Sequence, residues 1–323
     1  MAAHRVSTES RPGAPHHRTS WRLWKGLRHE RQRVNRRYSY WFLVPAVLVF
    51  TLFFVLPAIF GVYLSVTDAT VLSPETHFVG LKVYKILFGA DRPDLWNATW
   101  NQFVFAFFDT ITKLGIGILL AFILDRTFRG RSVVRALVYL PIMFSPIVIG
   151  ILFTFILKPE GLLNSGLQKV GLGALAKDWL GSFDLAMYSV IGIDTWIGVG
   201  WTVVVVLAAL QAIPQDVMEA ALLDGATGWS LTWRIKIPFI MHAINLALVL
   251  TLVSGMKAFD IFYATTKGGP GDATEVMTTY AAKSLTSGSL SYPSAVTVVQ
   301  FVIVTVMALV ANRYLRRREA NAA

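Results

Sequence analysis

Asp109 and Lys113 stand four residues apart inside an apolar run, acid first, a spacing that puts both on one face of a helix and lets them pair. Asp194 lies in a second apolar run, and helical periodicity places it on one face with Gly198 and Trp201. Asn245 occupies a third. Ionisable groups among apolar residues are costly, so they face a bundle interior or a water-filled cavity and pair with one another. Carboxylates, an ammonium, an amide and an indole together suit a solute rich in hydroxyls. Plainer readings stand beside this one. The Asp109–Lys113 pair can simply hold two helices together, Asn245 can bond one helix to another, and Lys257 can extend toward the interface from a helix end. His242 has no cluster of metal-ligating residues around it and reads as interfacial.

Other chemistry is missing. The chain has no G-x-x-x-x-G-K-[ST] phosphate loop, no H-E-x-x-H and no G-x-S-x-G. It has no cysteine, so thiolate chemistry and disulfides are excluded.

The elements that must position these residues are membrane helices. Of the 323 residues 54% are hydrophobic and only 15% charged, against roughly 25% charged in soluble domains, and mean hydropathy is +0.54. Six segments reach the length of about 20 apolar residues that a spanning helix needs: 41–66, 103–124, 133–157, 186–210, 238–258 and 294–313. The first contains Pro45 and Pro57 and the third Pro141 and Pro146, tolerable where neighbours satisfy the freed carbonyls. Gly115, Gly117 and Ala121 in the second allow close helix approach. The expected fold is therefore all-α and polytopic.

The formal net charge of +11 is distributed by membrane side. Residues 1–40 carry ten Lys/Arg, and twenty in all fall on the side of the termini and loop 211–237, against eight on the other. The positive-inside rule puts both termini and that loop in the cytoplasm, so the basic excess sets orientation and no nucleic-acid partner is expected. Residues 1–40 read as a basic cytoplasmic tail with a possible interfacial helix over 21–38. They do not read as a signal peptide, because the apolar run beginning at Trp41 is too long for one. Residues 314–323 form a second basic tail. In this orientation Asp109, Lys113 and Asp194 lie in the outer half of the membrane and His242 near the inner face, which rules out one enzymatic site made from Asp109, Asp194 and His242.

Loop 211–237 is itself helix-prone. Pro214 suits a first turn, Asp216 and Glu219 lie near the positive end of the helix dipole, and Gly225 is placed to end the helix. A second short helix through Trp229, Leu231, Trp233 and Ile235 is expected to stop near Pro238. By local physics the pair docks on a partner or rests on lipid headgroups.

Glu219, Ala220 and Ala221, then Asp224, Gly225 and Ala226, then Ile235, Ile237 and Pro238 resemble the EAA loop of ABC importer permeases, with isoleucine for the usual leucine before the proline. The lead-in Leu210, Gln211, Ala212, Ile213, Pro214 also matches, as do Asn164 and the Trp179-Leu180 pair. Phe259, Asp260, Ile261, Phe262, Tyr263 and Thr266, followed by Gly268, Gly269 and Pro270, resemble the outer loop of the MalF-type subunit of carbohydrate importers. The resemblance spans about residues 41–313.

The resemblance implies a type I importer permease fold of the MetI-like kind in a bacterial inner membrane, with a permease domain over 41–313, its core over 101–313 and a coupling loop over 211–238. It implies a second, MalG-type permease subunit, two copies of a cytoplasmic ABC ATPase that bind the ATP and Mg, and an extracytoplasmic solute-binding protein or lipoprotein. This chain is then non-catalytic and binds no cofactor. Glu219, Ala220, Ala221, Asp224, Gly225 and Pro238 are implied to couple to the ATPase. Asp109, Lys113, Asp194, Trp201, Asn245, Asp260 and Tyr263 become the candidate solute path, and Gly268, Gly269 and Pro270 the candidate binding-protein contact. The cargo implied is a sugar or oligosaccharide, with glycerol phosphate or a polyol as the alternative. A proton-driven transporter has no use for the loop.

Overall fold

The computed structural model describes residues 40–72, 76–89 and 94–322. The basic tail expected over 1–40 and its interfacial helix therefore lie outside the described residues, apart from Tyr40. The chain divides into two units, one ending at Phe60 and one running from Gly61.

The described residues are helical, with two isolated antiparallel bridges and no strand. In chain order they form α1 (Trp41–Leu64), α2 (Lys82–Leu87), α3 (Asp94–Asp125), α4 (Arg131–Met143), α5 (Pro146–Ile156), α6 (Leu162–Lys169), α7 (Ala186–Gln211), α8 (Gln215–Leu223), α9 (Gly228–Gly255), α10 (Asp260–Thr265), α11 (Met277–Thr286) and α12 (Ser291–Ala322). Five of them (α1, α3, α7, α9 and α12) are long and apolar enough to cross a membrane. The pair α4 and α5 makes a sixth span if counted as one. Helix α12 continues through the basic residues after Arg313.

The expected third span over 133–157 is not one rod. It breaks at Phe144 and Ser145, both in extended conformation, and its halves meet at 100°. Pro146 is the cause: its ring disfavours helical geometry at the preceding residue, and it opens the next helix at N1. Pro57 and Pro238 do not break their helices. Each lies two residues beyond a π turn, Thr51–Val55 and Thr232–Lys236, closed by Leu56 N–H to the Thr51 carbonyl and by Ile237 N–H to that of Thr232. The wider turn relieves the clash between a proline ring and the carbonyl four residues back. The second helix of the 211–237 loop therefore runs on through Pro238 into the fifth span instead of stopping there.

The centre of the second unit is α7, which packs on α3, α9 and α4. In its most apolar window 61% of the residues are buried, against 17% for α9 and for α12, so α7 is apolar all round as a central helix must be. Phe105, Ile149, Val190, Ile193 and Phe262 join α3, α5, α7 and α10 in one core. Ala121, Leu124, Val203, Val206 and Ile240 join α3, α7 and α9 in another. A third holds α2, α11 and α12 against the start of α3 through Leu87, Leu95, Met277 and Val296.

Small residues set the spacing. A Cβ on Gly117 would stand 2.6 Å from the Thr202 methyl, one on Gly200 2.6 Å from the Val138 carbonyl, and one on Gly255 2.9 Å from the Ala106 Cα. Gly115, grouped with Gly117 by sequence, faces open space.

Candidate functional site

The residues expected to carry function fall at two ends and in one buried centre. In the centre, Lys113 Nζ lies 2.7 Å from Asp109 Oδ2 on its own helix and 2.6 Å from Asp194 Oδ2 on α7. The well-directed hydrogen bond goes to Asp194, while Asp109, fully buried, is held by charge. Gly198, one turn along from Asp194, makes the room: a Cβ there would stand 2.5 Å from Lys113 Cε. Beside the triad, the Thr112 and Thr195 hydroxyls meet at 2.6 Å. One ammonium thus joins two helices through two carboxylates.

Asp194 also faces a cavity of about 430 Å³ bounded by Pro146, Ser254, Lys257, Phe259 and Asp260. Lys257 and Asp260 are exposed and make no ion pair with a described residue. Tyr263 stacks on Phe259 at 5.2 Å, beside this cavity. Of the sequence-predicted path residues, Asp109, Lys113, Asp194, Asp260 and Tyr263 therefore gather around the triad and the cavity. Trp201 does not line the cavity and is exposed on α7. Asn245 is half-buried further along α9 and does not line it either. A larger groove of about 630 Å³, lined by Phe108, Tyr188, Trp196 and Leu137 among others, is apolar and carries no charged residue.

At the end carrying the 211–237 loop, α8 begins after Pro214 and ends at Asp224. Gly225 then takes φ +80°, the left-handed conformation that glycine supplies cheaply. Glu219, Ala220, Asp224 and Gly225 are exposed and Ala221 is buried. Leu223 is 89% exposed and Leu222 beside it is exposed too, an apolar tip. Pro238 is exposed at the base of the fifth span.

At the opposite end, Gly268, Gly269 and Pro270 lie in a turn fixed by polar contacts. Thr274 donates to the Gly269 carbonyl at 2.7 Å and meets the Thr266 hydroxyl at 2.6 Å. Asn101 donates to the carbonyls of Asp272 and Glu275. Lys283 pairs with Asp272 and with the buried carboxylate of Glu275. Partial burial works against the charged lysine, but the two carboxylates outweigh it and raise its pKa above the ordinary lysine value.

Sequence reasoning passed over two glutamines. Gln102 on α3 and Gln300 on α12, both buried, donate to the carbonyls of Gly255 at 2.8 Å and Met256 at 2.7 Å. They satisfy carbonyls left over where α9 ends. For Gln300 the available signal was a polar residue inside a predicted span, whereas Gln102 falls one residue before the second one. Asn164, noted for its resemblance, is 1% exposed and ties loop 158–179 together, donating to the Lys158, Pro159 and Lys177 carbonyls and accepting from Trp179 Nε1.

Residues 113–321 match the family described as binding-protein-dependent transport system inner membrane component. The chain belongs to this family. The permease is 37% identical over 286 residues to the probable ABC transporter permease protein YurN of Bacillus subtilis (strain 168), covering 87% of this chain and 97% of that one. It is 30% identical to the trehalose/maltose transport system permease protein MalF of Thermococcus litoralis, with 86% and 94% covered. A chain in the crystal structure of a bacterial ABC transporter involved in the import of the acidic polysaccharide alginate shares the fold, with a TM-score of 0.75, 24% identity, and coverage of 92% of this permease and 99% of that chain. The permease is thus the membrane component of an ABC importer and a non-catalytic subunit.

Proposed function

We propose that this permease passes a sugar or oligosaccharide across the bacterial inner membrane, driven by ATP that partner subunits hydrolyse. The observation that carries the reading is the exposed knuckle formed by α8, the left-handed Gly225 and the start of α9. It is a short acidic helix with small residues and a free leucine tip, shaped to enter a groove on a partner. Both termini and this knuckle are cytoplasmic, in keeping with the basic residues on that side. Two copies of a cytoplasmic ABC ATPase bind the ATP and Mg beneath it, a MalG-type subunit completes the pathway, and a solute-binding protein or lipoprotein docks on the outside near Gly268, Gly269 and Pro270.

Sugar as cargo is supported by the name of the Thermococcus relative and by the kind of groups at the polar cavity. Asp194, Lys257, Asp260 and Ser254 offer donors and acceptors for hydroxyls, and Phe259 with Tyr263 offers an aromatic face. Charged groups at such positions call for water or a partner subunit beside them. In the cycle, ATP closes the ATPase dimer, the knuckle moves with it, and the spans open outward to receive solute.

The test is the full complex. An ATPase subunit should co-purify with the wild-type chain, and binding protein loaded with cargo should stimulate hydrolysis. Glu219→Lys and Gly225→Leu should keep the chain in the membrane while uncoupling hydrolysis from uptake. Normal uptake by both variants would count against the knuckle as the coupling element.

A further inference from the structure

The two ends of the coupling loop are fastened to one post. At the exit of the loop, Lys236 Nζ lies 2.6 Å from Asp125 Oδ2, with both side chains 19% exposed. Asp125 is the last residue of α3, and Lys236 closes the π turn between the knuckle and the fifth span. At the start of the loop, Gln211 ends α7, and with its carboxamide oxygen turned toward α4 it accepts from Arg131 Nη2 at 3.0 Å and Arg135 Nη2 at 2.7 Å. Arg135 in turn donates to the Leu124 carbonyl at 3.3 Å, one residue before Asp125. Leu124 and Asp125 therefore receive bonds from both sides of the loop, directly at its exit and through Arg135 at its start.

The chemistry suits the place. Guanidinium and ammonium groups at the last turns of α3 and α7 meet the negative ends of those helices and carbonyls without intrahelical partners. The carboxylate of Asp125 alone would oppose the dipole of its own helix, and Lys236 compensates it. The π turn matters as well. A straight helix through Trp233 and Lys236 would rotate the residues after it, whereas the extra residue per turn sets Lys236 toward α3 while Pro238 stays in the helix.

We infer that this polar knot is the linkage through which displacement of the coupling loop reaches the spans, with Asp125 and Lys236 as positioning residues for it. The inference rests on the reading of loop 211–238 as the ATPase-coupling element. With both ends of the loop tied to the end of α3, the knuckle cannot swing on its own, and a push on it moves the ends of α3, α7 and α9 together. If the Asp125–Lys236 bond is cut, the widened turn loses its polar tie to α3, and the next hold on that helix is the apolar packing of Ile240 one turn later.

The test uses the complete complex and the absence of cysteine, which leaves the chain free for labelling. Spin labels at Trp96→Cys on α3 and Leu162→Cys on α6, both exposed and outside the cavity, report the distance between a helix the knot holds and one it does not, with and without a non-hydrolysable ATP analogue. In the otherwise unaltered chain the nucleotide should shift the distance distribution. Asp125→Lys and Lys236→Asp should each reduce that shift in population ratio by about fivefold or more, and the charge-swapped double variant should restore it. Because a lone buried charge can impair folding, Asp125→Asn with Lys236→Met, which leaves no lone charge, should fold, retain the ATPase and still lose the shift. A merely structural pair would leave the nucleotide response intact in that neutral variant, and this result overturns the inference. So does a swap no better than the single changes. If the ATPase fails to co-purify with the wild-type chain, the coupling reading of loop 211–238 falls and takes this inference with it. A retained ATPase with an unaltered response in the variants overturns the knot alone.

Discussion

Replacing Lys113 by methionine removes the one cation between two carboxylates. The magnitude follows from burial. The Asp109 side chain is fully buried, that of Lys113 is 7% exposed and that of Asp194 17%, so solvent can compensate little of the charge left behind. Removing one partner of a buried pair costs about 3–5 kcal/mol, whereas replacing all charged members by neutral groups of similar shape is near neutral. Lys113→Met should therefore destabilise the chain by about 3 kcal/mol or more, and Lys113→Met combined with Asp109→Asn and Asp194→Asn should return to within about 1 kcal/mol of wild type. Gly198→Ala presses a methyl against the lysine stem, whose flexible end can shift. Its expected cost is smaller, about 1–3 kcal/mol. Equilibrium unfolding of the purified chain in mixed micelles, followed by the fluorescence of its ten tryptophans, measures all three. A cost below about 1 kcal/mol for the single change, or a triple variant as unstable as the single, refutes the view that Lys113 is the charge that holds α3 to α7.

Gly225→Ala places a side chain at φ +80° with nothing within 4 Å, so its cost to the isolated chain is conformational only, about 1–2 kcal/mol; any larger loss of ATPase binding in a pull-down reports contact with the partner. Gln102→Leu leaves the Gly255 carbonyl without its buried donor and should cost about 1–3 kcal/mol in the same unfolding assay, with faster hydrogen exchange at the end of α9. In the loop after α1, the His77 N–H donates to Asp68 at 2.7 Å and holds that carboxyl below its usual pKa of 3.8. A lowered folded-state pKa means that the contribution is present above the ordinary value and is lost as pH falls through the lowered one. The His77 amide should therefore lose exchange protection only below about pH 4, and Asp68→Asn should abolish that pH dependence.

The long spans and the loop between the fourth and fifth were legible because each signal is local: a run of apolar residues, or a proline, an acid and a glycine in a fixed order. The side chains that fasten the spans were harder to read. Lys113 could be paired with Asp109 from the i,i+4 spacing, but its bond to Asp194 crosses 81 residues and depends on the missing side chain of Gly198. The Asp125–Lys236 bond crosses 111 residues. Proline was the residue most open to misreading. Pro57 and Pro238 are absorbed by π turns, which leave no mark in composition, while Pro146 breaks its span because the two residues before it turn extended. Asn245 and Trp201 have the right chemistry for a solute path, yet helical phase alone could not place them relative to a cavity assembled from α5, α7, α9 and α10.

The sharp corner between α4 and α5 bears on the fate of the chain in the cell. Phe144 and Ser145 present non-helical backbone at an exposed position within a segment that composition assigns to the hydrocarbon layer. Acyl chains cannot solvate such backbone, which persists only against protein or water. A copy left with this corner against lipid would carry a mark of incompleteness that membrane quality control can recognise. Chains whose corner is uncovered should therefore turn over faster than chains in which protein or water covers it, without any dedicated regulator.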